Sequence, residues 1–354
     1  MRLYLSTEEQ HTDSSNNFSM DLFQKDNHAS DAPSYTPAHP LDTKLVHTLL
    51  RLYYPHVPPA EVFTIGKINI NAKNFRVGRY YVKLVPATPG SALILQVPLL
   101  QKLMQSKGIP VAEFVTSSTK EFVITVPAEG EQGALYMYVQ HFIHAHFYTG
   151  IQTELEIGFE LLKKQKDLFS SLSTGDWPKK PYLSWRPQAL LAEIENMQSD
   201  GGTFDTDVRA ALPNLHVIAD LFTRMRPALA FNECHHFDLH PHNLLFDDTG
   251  LRCVLDLESV VVVPYEIATT FNCFKLARKT VAMGYLPLKD MHTMVARYFD
   301  VATLYPFAQF ELLRRITVIL QLHYKEHNTK WDQDLHKHLA GLKEVEKLFG
   351  PHFI

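Results

Sequence analysis

Cysteine is scarce. Three thiols, Cys234, Cys253 and Cys273, in 354 residues form no Cys-x-x-Cys pair. Neither a disulfide framework nor a thiolate zinc site is expected, and a reducing compartment suits them. Long apolar runs are missing too: none is long enough to span a bilayer. After Leu3-Tyr4-Leu5 the chain turns at once to Ser6, Thr7, Glu8 and Glu9, which leaves no apolar segment for a secretion signal. Neither sign of charge dominates. Thirty-four basic residues against 38 acidic ones give −4, so the balance calls for neither a nucleic acid nor an anionic membrane as partner. The chain also lacks Gly-x-x-x-x-Gly-Lys-Ser/Thr, and Gly-x-Gly-x-x-Gly after a strand, which argues against a P-loop NTPase and a dinucleotide-binding dehydrogenase. A soluble, cytoplasmic protein with a small ligand is expected, its oligomeric state left open.

What is present suits a folded protein. Hydrophobic residues make up 45% of the chain and charged ones 20%, enough apolar surface for a real core. From Gln10 to about Pro40, Ser, Asn, Asp, His and Pro dominate, so residues 1–40 are expected to be a flexible head. Leu45, Leu49 and Leu52 then recur at helical spacing. Strand-like runs follow at Val62 to Ile70 and at Phe75 to Val77. A turn at Gly78-Arg79 leads into Tyr80 to Val85. A helix is expected from Ser91 to about Lys107, stopped by Gly108, and a hairpin from Glu121 to Phe142. Beyond that the spacing turns helical, with apolar faces from Leu155 to Leu172, Gln188 to Gln198, Val208 to Met225, Phe310 to Leu320 and Leu335 to Val345. The expected organisation is α+β: residues 41–142 a small antiparallel β lobe with one crossing helix, residues 143–354 a larger, mainly helical lobe.

Between the helices stands His235-His-Phe-Asp238-Leu-His240-Pro-His242-Asn243-Leu-Leu-Phe246. A turn at Asp247-Asp-Thr-Gly250 and then Cys253-Val-Leu-Asp256 follow. A loop, a strand, a tight turn and a second strand can bring Asp238, Asn243 and Asp256 to one end of a hairpin, where their oxygens can surround a hard cation. The imidazoles of His235, His236, His240 and His242 offer a second reading, a metal-dependent hydrolase, because histidines two to four residues apart can share one zinc ion. The group His141, His144 and His146 reads as coincidence.

The spacing His-x-Asp, four residues, Asn, then an apolar strand ending in Asp resembles the phosphotransfer signature of the kinase superfamily. In this form it is most similar to the aminoglycoside phosphotransferase and choline kinase family, and Asn71 to Lys83 resembles that family's phosphate-covering hairpin and ATP-lysine strand. The resemblance covers roughly residues 41–288. It implies a protein-kinase-like two-lobe fold with MgATP between the lobes, and transfer of the γ-phosphate to a small-molecule hydroxyl. Asp238 would orient that hydroxyl and accept its proton, Asn243 and Asp256 would hold Mg2+, Lys83 would grip the α and β phosphates, and His236 would hold the loop. The adenine edge would meet backbone groups between Gln140 and Ile143, Phe142 among them.

Two positions depart from that pattern. Gln96 stands where the family's crossing helix carries a Glu that pairs with the ATP lysine. Either Gln96 hydrogen-bonds Lys83, or another acid such as Glu113 reaches it, or the phosphate grip is impaired; the last option opens the reading of a nucleotide-sensing pseudokinase. Glu266, in Pro264-Tyr-Glu-Ile-Ala268, replaces an Asp. No Ala-Pro-Glu element of protein kinases is present, so a protein substrate is not expected. An aminoglycoside, choline or ethanolamine, homoserine and a sugar-like acceptor all stay open, as does ATP against GTP. Phe310, Tyr324 and Trp331 are candidate walls of the acceptor site, and Glu193, Glu195, Asp205 and Asp207 candidate contacts for a polyamine.

Overall fold

The computed structural model describes residues 35–65, 72–128, 133–180, 182–198 and 201–350. The chain divides into two compact units, one ending at Ala145 and the other beginning its main run at His146. Expectations for residues 1–34, for 66–71 (with Ile68, Ile70 and Asn71) and for the polar connection at 129–132 fall outside the described residues.

The first unit is built on an antiparallel sheet. Strand β1 (Tyr35–Pro37) lies beside β2, and helix α1 (Pro40–Tyr53) follows. Residues 35–40 are therefore ordered, although the local composition suggested a head running to Pro40. Tyr35 and Thr36 gain backbone partners in Ile65 and Thr64, a pairing that local composition does not reveal. Proline at N1 suits the helix start, because its missing N–H would have had no intrahelical acceptor. His39 Nδ1 accepts from Leu41 N at 3.3 Å. Val46, Leu49 and Leu50 of α1 enter one core with Val62, Phe75, Val77, Val82 and Val139.

Strands β2 (Val62–Ile65), β3 (Lys73–Val77) and β4 (Tyr80–Pro86) follow in order. The two-residue turn between β3 and β4 places Gly78 at φ +56°, a region that favours glycine, and a Cβ there would meet Ala60 Cβ at 3.2 Å. The expected helix from Ser91 is split. Residues Pro89–Gln96 wind as a 3-10 helix, and only Val97–Ser106 forms α2. Gly108, at φ +72°, ends the segment as expected. Strands β5 (Val123–Pro127) and β6 (Ala134–His141) complete a sheet ordered β1-β2-β3-β4-β6-β5 among the described residues.

The second unit starts with β7 (His146–Phe147), α3 (Gln152–Leu168), α4 (Pro187–Glu195) and α5 (Thr203–Met225). Four short strands then form two small sheets: β8 (Cys234–His236) pairs with β11 (Val260–Val262), while β9 (Leu244–Asp247) lies between β10 (Gly250–Val254) and β7. Helices α6 (Tyr265–Ala282), α7 (Leu288–Tyr298), α8 (Val301–Glu326) and α9 (Gln333–Phe349) close the unit. α6 packs against both α3 and α8. Neither α6 nor α7 was anticipated. Ile267 through Phe274 of α6 are buried without interruption, so that helix shows no polar face to mark a 3.6-residue period. Among the described residues no helix is long and apolar enough to cross a membrane.

Candidate active site

The β8/β11 and β9/β10 pairs carry the polar loop that the sequence singled out. β8 ends on His236, Asp238 and Leu239 follow, and a 3-10 turn over Pro241–Asn243 delivers the chain into β9. β10 runs back and ends two residues before Asp256, which sits in the left-handed region at φ +58°. Asp is among the residues that tolerate this conformation, yet a non-glycine there is held in place by its surroundings. Here Ser259 N donates to Asp256 O at 2.9 Å and Ser259 Oγ to Asp256 Oδ2 at 3.0 Å.

Three links hold the loop. His236 Nδ1 accepts from Asp238 N at 3.2 Å, which places the ring proton on Nε2, and Nε2 donates to Leu255 O at 3.1 Å. Burial lowers the His236 pKa further than its backbone partner restores it, so the ring is a neutral strut. Leu255 N donates to Asn243 O at 2.9 Å, bringing the residue before Asp256 against Asn243. From α6, Asn272 Nδ2 donates to His236 O at 2.9 Å while its Oδ1 accepts from Leu239 N at 3.0 Å. One buried amide thus clamps the loop on both sides of Asp238.

The Asp238 carboxylate is half-buried. Lys275 Nζ of α6 donates to its Oδ1 at 2.6 Å, and His240 Nε2 lies 3.5 Å from its Oδ2. Burial pushes this carboxyl up, but Lys275 and then His240 outweigh it and hold the pKa down to about 2. Burial also lowers His240, to about 4, so that ring is neutral near pH 7. Its Nδ1 accepts from His242 N at 3.1 Å, which leaves the proton on Nε2 facing Asp238. A carboxylate of such low basicity is suited to orient a hydroxyl through a hydrogen bond and take up its proton late.

Asn243 Nδ2 donates to Asp238 O at 2.8 Å and lies 3.5 Å from Oδ2. With its nitrogen engaged, the amide presents its oxygen as an acceptor. Amide and carboxylate oxygens such as those of Asn243 and Asp256 are donors of the kind Mg2+ prefers. The structure joins Asp238 to Asn243 by a hydrogen bond, and the Leu255 link holds the backbone of Asp256 next to Asn243. It does not gather the four histidines: His235 Nε2 lies 3.1 Å from Glu233 Oε2, His236 is engaged as above, and His242 lies tilted against Phe147 at 5.2 Å and edge to face with His240 at 5.5 Å. Among the described residues no three His, Cys, Asp or Glu side chains converge as metal ligands.

The expected nucleotide contacts belong to the first unit. Lys83 lies on β4, between Asn74 of β3 and Tyr138 of β6, and is buried. Gln96 is the last residue before α2 and half-buried, and Glu113 is exposed. Among the described residues neither side chain makes a hydrogen bond or ion pair to Lys83. The two pairings considered for Lys83 are thus absent, because the 3-10 turn leaves Gln96 at a helix junction rather than on the helix face. Gln140 is buried in β6, with Nε2 near Ala112 O at 3.4 Å. Gln101 of α2 donates to the same carbonyl at 3.0 Å. His141 N and Phe142 N donate to Glu113 O and Arg79 O at 2.8 and 2.9 Å. The backbone N–H groups of His141 and Phe142 are therefore committed within the unit, and Phe142 instead offers its ring to Arg76 at 4.9 Å.

The suggested acceptor walls do not form a cage. Phe310 is fully buried against Phe222 and Phe307, Tyr324 OH donates to Asp205 Oδ1 at 2.6 Å, and Trp331 is exposed beside Lys330. Asp205 also pairs with Arg209, and Glu193 with Lys325. Sequence reasoning missed Lys275, Asn272, Lys180 and Arg315. They lie on α6, on α8 and in the segment before α4, all far along the chain from the loop that packing brings them near.

No family model and no curated protein matches the sequence. Solved structures do match. A spectinomycin phosphotransferase in complex with ADP and spectinomycin aligns at TM-score 0.60 and 14% identity, over 88% of this chain and 98% of that one. An amicoumacin kinase in complex with AMP-PNP, Ca2+ and Ami aligns at 0.56 and 12%, over 87% and 93%. An aminoglycoside phosphotransferase from Alicyclobacillus acidocaldarius aligns at 0.52 and 14%, over 80% and 89%. The chain thus has the α+β, protein-kinase-like fold of these enzymes, as the motif implied.

Proposed function

We propose that the protein is a phosphotransferase that moves the γ-phosphoryl group of ATP to a hydroxyl of a small molecule. The observation that carries this reading is the Asp238 carboxylate, partly open to solvent beside Asn243, on a loop clamped by His236 and Asn272. Solved structures of the same fold hold ADP with spectinomycin, or AMP-PNP with Ca2+ and Ami. Phosphoryl transfer asks little covalent chemistry of a protein and much positioning, which is what this loop provides.

In this reading Asn243 Oδ1 and the Asp256 carboxylate would hold Mg2+, and Lys83 would grip the α and β phosphates. Magnesium, when bound, neutralises charge on the phosphate oxygens. Asp238 aligns the hydroxyl, whose oxygen forms a bond to the γ-phosphorus as the bond to the β,γ-bridging oxygen breaks. The bond pair leaves with ADP, and the hydroxyl proton passes to Asp238. The adenine edge would meet backbone groups of the link from Gln140 to Ile143 other than the N–H groups of His141 and Phe142, which are committed within the unit. The low carboxyl pKa keeps Asp238 ionised at neutral pH without making it a strong base.

The neutral Gln96, at the position where the family's crossing helix carries a Glu, favours one second reading, a nucleotide-binding protein without turnover. ADP release over acceptors of several chemical classes separates the two. The phosphotransferase releases ADP in a magnesium-dependent way that Asp238→Asn abolishes. Stabilisation by ATP and magnesium without ADP release from any acceptor overturns the proposal in favour of the second reading.

A further inference from the structure

Beside Asp238 lies a cluster of cations that the catalytic reading does not use. Lys275 of α6 pairs with Asp238 and also lies over the Phe271 ring, 4.5 Å from its centroid. Arg315 of α8 approaches the same ring, at 4.8 Å. Lys180, from the segment before α4, lies 4.8 Å from the centre of Phe237, which stacks on Phe271 at 5.9 Å. Among the described residues Lys180 makes no ion pair with any carboxylate. Two aromatic rings next to the catalytic loop thus carry three cationic groups from three separate segments.

The counter-charge does not match. Asp238, Glu311, Arg314 and Arg315 are all within electrostatic reach of Lys180, and Asp238, Glu311 and Arg315 of Lys275. Glu311, fully buried, is engaged by Arg314 and Arg315 together. Among these described residues, two carboxylates face four cations. The neighbouring His338, half-buried near Arg315, is held neutral and adds no charge near pH 7, while Asp256 is assigned to the metal. Uncompensated positive charge in a partly desolvated place is costly unless an anion completes it. Burial lowers both Lys180 and Lys275, the direction expected where the anion is not yet supplied. Arg315 and Lys275 keep about a third and a fifth of their side chains open to solvent, so a ligand can reach them.

We infer that the cation cluster beside Asp238 binds an anionic acceptor, a small hydroxyl compound bearing a carboxylate, sulfate or phosphate. Lys180 and Arg315 are its specificity-determining residues. The inference rests on the phosphotransferase reading and narrows it. A polycationic aminoglycoside or a quaternary ammonium alcohol would meet a field of its own sign, whereas an anion is drawn in and oriented over the Phe237–Phe271 floor.

The test uses acceptors matched in skeleton and differing in charge: serinol, glycerol and glycerate, then glucosamine, glucose and glucuronate, with ADP release as the readout. The anionic member of a set is expected to turn over fastest. Lys180→Gln and Arg315→Gln should each raise its KM by about tenfold, with KM for ATP changed by less than about twofold. Preference for a cationic member overturns the inference, and so does a rise in KM for ATP in place of the acceptor, which would make these side chains a grip on the nucleotide. Either result leaves phosphotransfer standing. If no acceptor releases ADP, phosphotransfer fails instead, and a nucleotide-free arm decides the anion site. With sulfate as probe at constant ionic strength, wild type and Lys83→Met should gain Tm alike while the Lys180→Gln/Arg315→Gln double variant gains none. An equal gain in all three overturns the anion site.

Discussion

Asp238 and Glu311 are two carboxylates of the same unit, both gripped by cations, and burial pushes both up while neighbouring positive charge drags each to about 2. Their surroundings differ. Glu311 is wholly buried and fully bonded: Arg314 Nε and Nη2 donate at 2.8 Å, Arg315 Nε donates at 2.9 Å, and Tyr182 OH adds a fourth bond. Asp238 has one strong partner, and a third of its side chain is exposed. A displaced titration therefore marks an arrangement of charge, not a reaction. What singles out Asp238 is an oxygen still available to a ligand.

Substitutions at the two carboxylates should part company. The largest effect is expected at Asp238→Asn, which should lower kcat by about a thousandfold or more while the fold persists, as read by ADP release beside circular dichroism. A kcat within about threefold of wild type would sink the assigned role. Glu311→Gln should act on stability instead, by roughly 3–5 kcal/mol in urea unfolding, because it strands Arg314 without its counter-charge. A near-neutral result would show that the cluster relaxes into solvent.

Between these extremes lies Asn272, which touches no substrate in this scheme. Asn272→Ala leaves His236 O and Leu239 N without their partner and should cost about 1–3 kcal/mol of stability. Its kcat should also fall by about tenfold, because the loop loses its register. Lost stability with unchanged kcat would confine that clamp to folding. The smallest effect is the acid limb of stability. A carboxylate whose pKa is depressed on folding contributes stability above its unfolded value and loses it as pH falls through the folded one. Glu311 thus contributes fully above about pH 4.5 and loses its contribution towards pH 2. Urea midpoints across that window should fall for wild type and run flatter for Glu311→Gln.

The loop around Asp238 was legible as a structural unit because its parts are close in sequence. His236, Asp238 and Asn243 stand within eight residues, and Asp256 follows after one hairpin whose turn, Asp247 to Gly250, announces itself. The strands and helices of clear period were legible for the same local reason. α6 was not, since burial on every face erases the contrast between polar and apolar positions. Gln96 was placed on the crossing helix by the resemblance to the family, but the 3-10 turn from Pro89 puts it at a junction. Residues 35–40 read as a polar tail, yet β2 supplies the partners that order them.

The sequence by itself determined the reactive vocabulary: a carboxylate, an amide and a second carboxylate at a spacing that one hairpin can fold together. Tertiary structure alone decided their company. Lys275 and Asn272 lie one turn apart on α6, while Lys180 and Arg315 come from elements far along the chain. Spacing along a chain records only neighbours joined by a few rotatable bonds, whereas the field at a site sums over every charge that packing brings near.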